Sequence, residues 1–377
     1  MGVSWLMDPP LRSLARELKQ TAARERAVEL SATEIELVER IRAKTVEHNG
    51  DNVERTRAYL DYFRQHTEIH WALLAHLVSR NAGWSMTDLR GELLTRLLSE
   101  RVQEHYFHFL ERANWLIFHD AYPQLLLYEE SVKRQTNLFH LLPHFHVSVF
   151  MQAAWNRFWS EQDRELLAVC LIVNEQRHLE EQVMQDESYR KTVLDTLPFA
   201  MQELLSLNQI LFPYRGDGRR LHLAGETVSH FASATERIAL GKRLYALLFR
   251  DSKLLEEVLG WALKQPHTGS RKDFWPQIFH DIHEGVPGQP YRKKLAGCQL
   301  VPGGTRIFSP ALSQAWKRVA QEPPAQLDWY RGLDVLPLLR IREQPASRDV
   351  QEAYCKTLDK IELAVIARGA IFGSRQS

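Results

Sequence analysis

Between residues 11 and 197 the chain carries only two prolines, Pro123 and Pro143, while its apolar side chains return every three or four residues. A stretch of that length with that period buries its apolar side chains most readily as helices, since proline is the residue that most disrupts a helix interior. Helices are predicted at about 11–30, 32–47, 52–80, 85–99, 101–119, 123–138, 161–186, 194–211, 226–249 and 252–264. Ser31 to Glu34 and Ser85 to Asp88 have the spacing of capping boxes, in which a hydroxyl and a carboxylate satisfy the first amides of a helix. Runs of alternating β-branched residues are almost absent, and no repeat of 34 or 40 residues is visible.

The pattern changes further on. Ten of the 16 prolines and seven of the 18 glycines fall in residues 266–345, which reads as a loop-rich segment with short strands confined to about 290–310. A closing helix is predicted from Ser347 to about Arg368. The fold class is therefore all-α: a large multi-helix body with a Pro/Gly-rich segment that has room for one short hairpin. The expected divisions are 1–50 for N-terminal amphipathic helices, 51–265 for the main helical domain, 266–345 for a cover, and 346–377 for the closing helix and tail.

Charge excludes more than it assigns. The 48 Lys and Arg against 47 Asp and Glu leave no overall field, which speaks against a nucleic-acid partner. Locally, residues 161–190 hold eight acids and three bases, and residues 264–318 nine bases and three acids. These read as two solvated surfaces, and they have the signs to dock on one another. The longest uninterrupted apolar run, residues 166–173, is far short of the ~20 residues that span a bilayer, so no integral membrane segment is expected. The opening residues MGVSWLMDPP lack the basic and apolar regions of a signal peptide. Three scattered cysteines, Cys170, Cys298 and Cys355, contain no C-x-x-C pair. Neither a zinc knuckle nor a disulfide framework is indicated, and a reducing cytoplasm fits.

The strings EIHWALLAH at 68–76, RNAGWSMTDL at 80–89 and NEQRHLE at 174–180 resemble an uncharacterised, YppC-like family of Firmicute proteins with a domain of unknown function. The resemblance runs from about residue 45 to 370. It implies a bacterial cytoplasmic setting and carries no catalytic residues to this chain.

Ten histidines lie between residues 66 and 178, and several fall where an apolar residue is expected. Leu167, Leu171, Asn174 and His178 follow the spacing i, i+4, i+7, i+11, so one helix face begins apolar and continues as Asn and His. Glu175 and Glu181 flank His178 at three residues on either side. His70, Leu74, Leu77 and Asn81 repeat that spacing on an earlier helix, with His66 one turn before His70 and Arg80 closing the end. A His-x-x-x-His pair on one face can hold a metal, so His66 and His70 are the metal candidates, but no metal is favoured. Only Glu175 with His178 fits the Glu-x-x-His element of an iron bundle, where two such helices and two further Glu are needed.

The favoured reading is that these polar residues face one another indoors, because an unpaired buried polar group costs ~1–3 kcal/mol. Arg80 with Glu175 or Glu181 is expected to supply charge-assisted bonds. The candidate pocket residues are His70, Arg80, Asn81, His119, Asn174, Glu175, His178 and His230, the last on a polar stripe with Glu226, Ser233 and Arg237. Ser270, Arg271 and Lys272 offer a turn with a hydroxyl and two cations, the makings of an anion cradle. No nucleophile elbow, phosphate-binding loop or His-Glu-x-x-His is present, so no cofactor and no catalytic set is assigned. Two functions remain in view. One is a helical protein with a polar pocket for a small ligand, enzymatic use included. The other is an interaction or scaffold protein with structural histidines. Several polar residues on two core faces favour the first.

Overall fold

The computed structural model describes residues 8–23, 29–196, 209–216, 220–227, 232–284, 290–340 and 343–373. Helix accounts for 65% of the structure. At its centre lies α7, Arg164–Leu179, which contains the apolar run 166–173. Every residue of that run is buried, because helices close on it from all sides: α4 (His70–Asp88), α5 (Glu100–Arg134), α6 (Val149–Glu161) and α8 (Ala234–Phe249). A helix apolar all round has to sit in such a sheath.

Outside this sheath, α1 (Pro9–Ala23) buries Leu11, Leu14 and Leu18 against α6. The next helix, α2 (Ala32–His48), starts at the capping box read from the sequence, with Ser31 N donating to Glu34 Oε2 at 2.9 Å. Then α3 (Asn52–Gln65) packs antiparallel along α4, and α9 (Ser252–Lys264) follows α8. The chain closes with α10, Gln351–Gly373. Leu14, Trp71, Phe279 and Tyr354, taken from all four of the expected sequence divisions, belong to one apolar cluster.

Several boundaries differ from the sequence reading. The expected helix at 52–80 is two helices, with His66 ending α3 and His70 opening α4. The metal candidates His66 and His70 therefore share no helix face. Asn81-Ala-Gly83, which falls between the helices expected at 52–80 and 85–99, lies inside α4. Gly83 has a packing reason there: a Cβ would sit 2.2 Å from Asn52 Oδ1 and 2.4 Å from His267 Nε2, which hydrogen-bond to each other at 2.9 Å. Residues 85–88 are thus the end of a helix and not the start of one. Pro123, expected to separate two helices, lies within the 35 residues of α5.

The largest correction to the all-α expectation is an antiparallel hairpin, β1 (Gln209–Arg215) with β2 (Leu221–Thr227), where the sequence reading ends one helix at about 211 and starts the next at about 226. Its register places Leu211 opposite Gly225. Gly225 has φ 143° and its backbone exchanges hydrogen bonds with Ser347 at 2.8 and 3.0 Å. A Cβ there would fall 1.9 Å from the Ile210 carbonyl oxygen, so only glycine admits this approach. In the Pro/Gly-rich segment β3 (Phe279–His280) pairs parallel with β6 (Ile307–Phe308), and β4 (Leu295–Ala296) pairs with β5 (Gln299–Leu300). β3 lies outside the expected 290–310 window.

The cysteines are also corrected. Cys298 and Cys355 form a disulfide with Cα atoms 5.3 Å apart, while Cys170 is free and buried. Pairing across 57 residues leaves no local sequence signature, and the cysteine-based argument for a reducing compartment falls with it. No helix among the described residues is long and apolar enough to cross a membrane.

Candidate functional site

The helices around α7 leave a partly open space between them. Between α3, α4, α5, α7, α8 and α10 lies a cavity of about 690 Å³, within the roughly 300–1,000 Å³ of small-molecule sites. Its wall is mostly apolar, with Leu74, Leu89, Phe109, Leu240, Leu244 and Ile361 as examples from four helices and the loop after α4.

Polar side chains enter this wall in a connected row. Trp71 Nε1 on α4 donates to Glu175 Oε2 at 3.2 Å, and Gln176 Nε2 donates to Glu175 Oε1 at 3.1 Å. Gln176 Oε1 accepts from Arg237 Nε at 2.8 Å, and Arg237 Nη2 reaches Glu180 Oε2 at 2.7 Å. Trp71, Glu175, Gln176 and Arg237 all line the cavity. Glu180 is held where α7 widens by one residue per turn, Gln185 N bonding the Glu180 carbonyl at 3.1 Å; such widened turns are rare. Burial pushes the Glu175 carboxyl up to about 7 against the hydrogen bonds from Gln176 and Trp71. On the α3 side, Arg55 and Tyr59 reach the same cavity. Arg55 Nη2 pairs with Glu111 Oε2 at 2.5 Å, and Nη1 donates to Asn49 Oδ1 at 3.2 Å.

Of the candidates read from the sequence, Asn81, Glu175 and Arg271 line the cavity. Asn81 ties α4 to β1, donating to Leu77 O and Leu211 O at 2.9 Å and accepting from Leu211 N at 2.8 Å. The others sit elsewhere. His70 Nδ1 meets Tyr245 Oη at 2.9 Å and its ring stacks on Phe249. Arg80 lies over the Trp261 ring and donates to Gln265 O. It meets neither Glu175 nor Glu181, which pairs with Arg331 at 3.6 Å. Asn174 bridges Asp120 Oδ2 at 2.6 Å and Trp329 Nε1 at 2.9 Å. His119 stacks on Trp115. His178 is buried, and its Nε2 has no hydrogen-bond partner among the described residues. Burial lowers His70, His119 and His178 to about 4 each, so all three stand neutral at pH 7. His230 lies outside the described residues.

The anion candidates are engaged by acceptors of the chain itself. Ser270 Oγ donates to Ser309 O at 2.5 Å, Arg271 pairs with Asp88 at 2.7 Å, and Lys272 pairs with Asp281 at 2.7 Å. His66 Nδ1 lies 3.3 Å from Glu68 Oε1, and no group of three or more metal-type ligands occurs among the described residues.

Sequence reasoning missed Arg55, Tyr59, Trp71 and Gln176 as site members. Arg55 and Tyr59 share a face of α3 at i, i+4, a signal that was present but reads as ordinary amphipathicity. Trp71 reads as core and is core, and only its indole N–H marks it. Glu226 and Ser233, grouped with Arg237 on one helix, belong to β2 and to the cap of α8.

Asp120 offers a pH test. Burial raises its carboxyl to about 7, although Asn174 and Gln124 both donate to it. A carboxyl raised in the folded state favours the fold below its unfolded value near 3.8, and that contribution is lost as pH rises through about 7. The lowered histidines act oppositely, losing stability as pH falls from 6.5 toward about 4. An Asp120→Asn variant separates the two, because the amide oxygen accepts both bonds without ionising. Its stability relative to the parent is expected to increase by about 1–3 kcal/mol between pH 5 and 8. Urea midpoints at the two pH values check this, and an unchanged difference contradicts it.

Residues 47–355 match the model of a family described as "Protein of unknown function (DUF2515)". The chain is 46% identical over 319 residues to the "Uncharacterized protein YppC" of Bacillus subtilis (strain 168), covering 84% of this chain and 91% of that protein. No solved structure matches it. With more than three quarters of its length matched by the family model, the chain belongs to the DUF2515 family.

Proposed function

We propose that this chain is a helical binding protein whose partly open cavity between the helices takes a small, largely apolar molecule. The observation that carries the reading is the cavity itself, about 690 Å³ of mostly apolar wall joined by one hydrogen-bonded polar row. Close packing is the rule for protein interiors, and unfilled apolar space of this size forfeits dispersion contacts that a ligand restores. The site is less a His/Asn/Arg pocket than an apolar one with Glu175 at its polar edge. An enzymatic use would centre on Glu175, whose carboxyl near 7 suits proton transfer at neutral pH.

The competing reading, an interaction protein with structural histidines, draws support from His76 and His267. Both are buried and bond within the chain, His76 Nδ1 to Thr56 O at 2.7 Å and His267 Nε2 to Asn52 Oδ1 at 2.9 Å. Among the described residues, the large exposed apolar side chains, Ile35, Val46, Val132, Leu263, Ile282, Leu327 and Leu363, lie on several different elements. A fluorescence titration with the neutral apolar probe N-phenyl-1-naphthylamine is expected to saturate at one probe per chain. No saturable enhancement would remove the cavity reading and leave the interaction one.

A further inference from the structure

Among the described residues, the carboxylates that line the cavity are Asp88, Glu92 and Glu175. Two of them have a cation: Asp88 pairs with Arg271 at 2.7 Å and Glu92 with Lys294 at 2.7 Å. Glu175 has none among the described residues. Its oxygens accept from neutral groups, Oε2 from Trp71 Nε1 at 3.2 Å and Oε1 from Gln176 Nε2 at 3.1 Å. The other arginines of the wall are engaged away from it. Arg55 pairs with Glu111 at 2.5 Å and Arg237 with Glu180 at 2.7 Å, while Arg368 is exposed and donates to Leu97 O. A carboxylate withdrawn from water is ordinarily matched by a cation. On α7, Leu166 to Asn174 are buried, as are His178 and Leu179, but Glu175 is only half-buried. Since Glu175 lines the cavity, its accessible part faces the space between the helices.

We propose that the cavity binds an apolar amine, with the protonated nitrogen on the Glu175 carboxylate and the hydrocarbon body along the apolar wall. This rests on the cavity reading above and names its ligand class. Each carboxylate oxygen has a second lone pair beyond the one it uses here, so an ammonium N–H finds an acceptor without displacing Trp71 or Gln176. Those two donors also favour the ion pair, because a charge pair away from water is stable only when further hydrogen bonds satisfy the carboxylate. Burial raises the Glu175 carboxyl to about 7, the bonds from Gln176 and Trp71 oppose this, and Asp120 adds a charge of its own sign. A cation beside the group draws it to the ionised form. An anionic ligand would meet an acid on a wall whose buried arginines are already paired with carboxylates, and a neutral one would leave Glu175 unmatched.

1-Aminoadamantane, 1-adamantanol and adamantane-1-carboxylate share one rigid apolar body and differ in the group presented, so displacement of N-phenyl-1-naphthylamine by each tests the assignment. At pH 7 the protonated amine is expected to bind the parent at least about ten-fold more tightly than the alcohol, the effect of a hydrogen bond to a charged group. Glu175→Gln keeps the shape of the side chain and removes its charge, so the ratio of those two affinities should fall toward one. A ratio taken within one protein is unaffected by a general change in affinity. If that variant does not bind the probe, Glu175→Met is read in the same way, and if neither variant binds it, Glu175 serves the fold and the assignment falls. Equal binding of amine and alcohol by the parent, or a preference that survives the loss of the carboxylate, overturns the assignment and leaves the cavity reading standing. Tightest binding of the carboxylate overturns the cationic class. If none of the three displaces a bound probe, the assignment falls. If the probe itself fails to bind the parent, the cavity reading falls with it.

Discussion

Replacing Glu111 with Ala is expected to lower the stability of the chain by about 3–5 kcal/mol, the usual cost of leaving one member of a buried ion pair without the other. Arg55 and Glu111 are 1% and 5% exposed at their side chains and meet at 2.5 Å. Burial pushes the Glu111 carboxyl up, and Arg55 opposes that shift by pairing with it. Removing the carboxylate leaves a guanidinium that cannot shed its proton at neutral pH, with only Asn49 Oδ1 at 3.2 Å and Asn49 O at 3.4 Å to accept from it. The double replacement Arg55→Met with Glu111→Leu removes both charges and is expected to stay near the parent, since apolar substitutes for buried pairs are often neutral or better. Urea unfolding of the three proteins checks this. A loss under about 1 kcal/mol for Glu111→Ala would mean that water reaches the pair.

The second large effect concerns α10. Its inner face supplies Leu358, Ile361 and Ala364 to the cavity wall, and Cys355 near its start is bound to Cys298. A cross-link spanning 57 residues limits the unfolded chain, and its removal is expected to cost about 2–4 kcal/mol. Glu362 also holds α10 from the β4 side, accepting from Tyr291 Oη at 2.5 Å, Lys294 N at 2.8 Å and Leu295 N at 3.1 Å. The helix should therefore stay docked when the disulfide opens, so that stability falls while helix content is kept. Denaturant midpoints with and without reductant measure this. Cys355→Ser should match the reduced parent and show no response to reductant.

Much of the helical body was legible in the sequence, because its cause is local. Ser31 and Glu34 can be read as a cap since both partners lie within one turn, and the run 166–173 falls inside a helix that the apolar spacing predicts at 161–186. Errors arose where distant residues decide. Gly83 looks like a breaker until His267 and Asn52 are seen against it. Pro123 leaves only the His119 carbonyl without its helical donor, which packing on both sides of α5 outweighs. In the hairpin, Gly225 is explained by Ile210 and Ser347, neither of which the local pattern indicates. The candidate site was half legible for the same reason. Spacing put Asn174, Glu175 and His178 on one helix but could not say that Glu175 faces a cavity while Asn174 turns to Asp120. Nor could it show that Arg55 and Tyr59 approach from α3.

The central claim is that apolar space inside the helical body receives a ligand, and filling that space tests it most directly. Leu244 is buried on α8 and lines the cavity, so Leu244→Trp directs a larger ring into it. The measurement is the N-phenyl-1-naphthylamine titration of this variant beside the parent, at matched far-UV circular dichroism and thermal midpoint. The account predicts at least a ten-fold weaker affinity in a variant that remains folded. An affinity unchanged by Leu244→Trp would place the probe elsewhere and contradict the account.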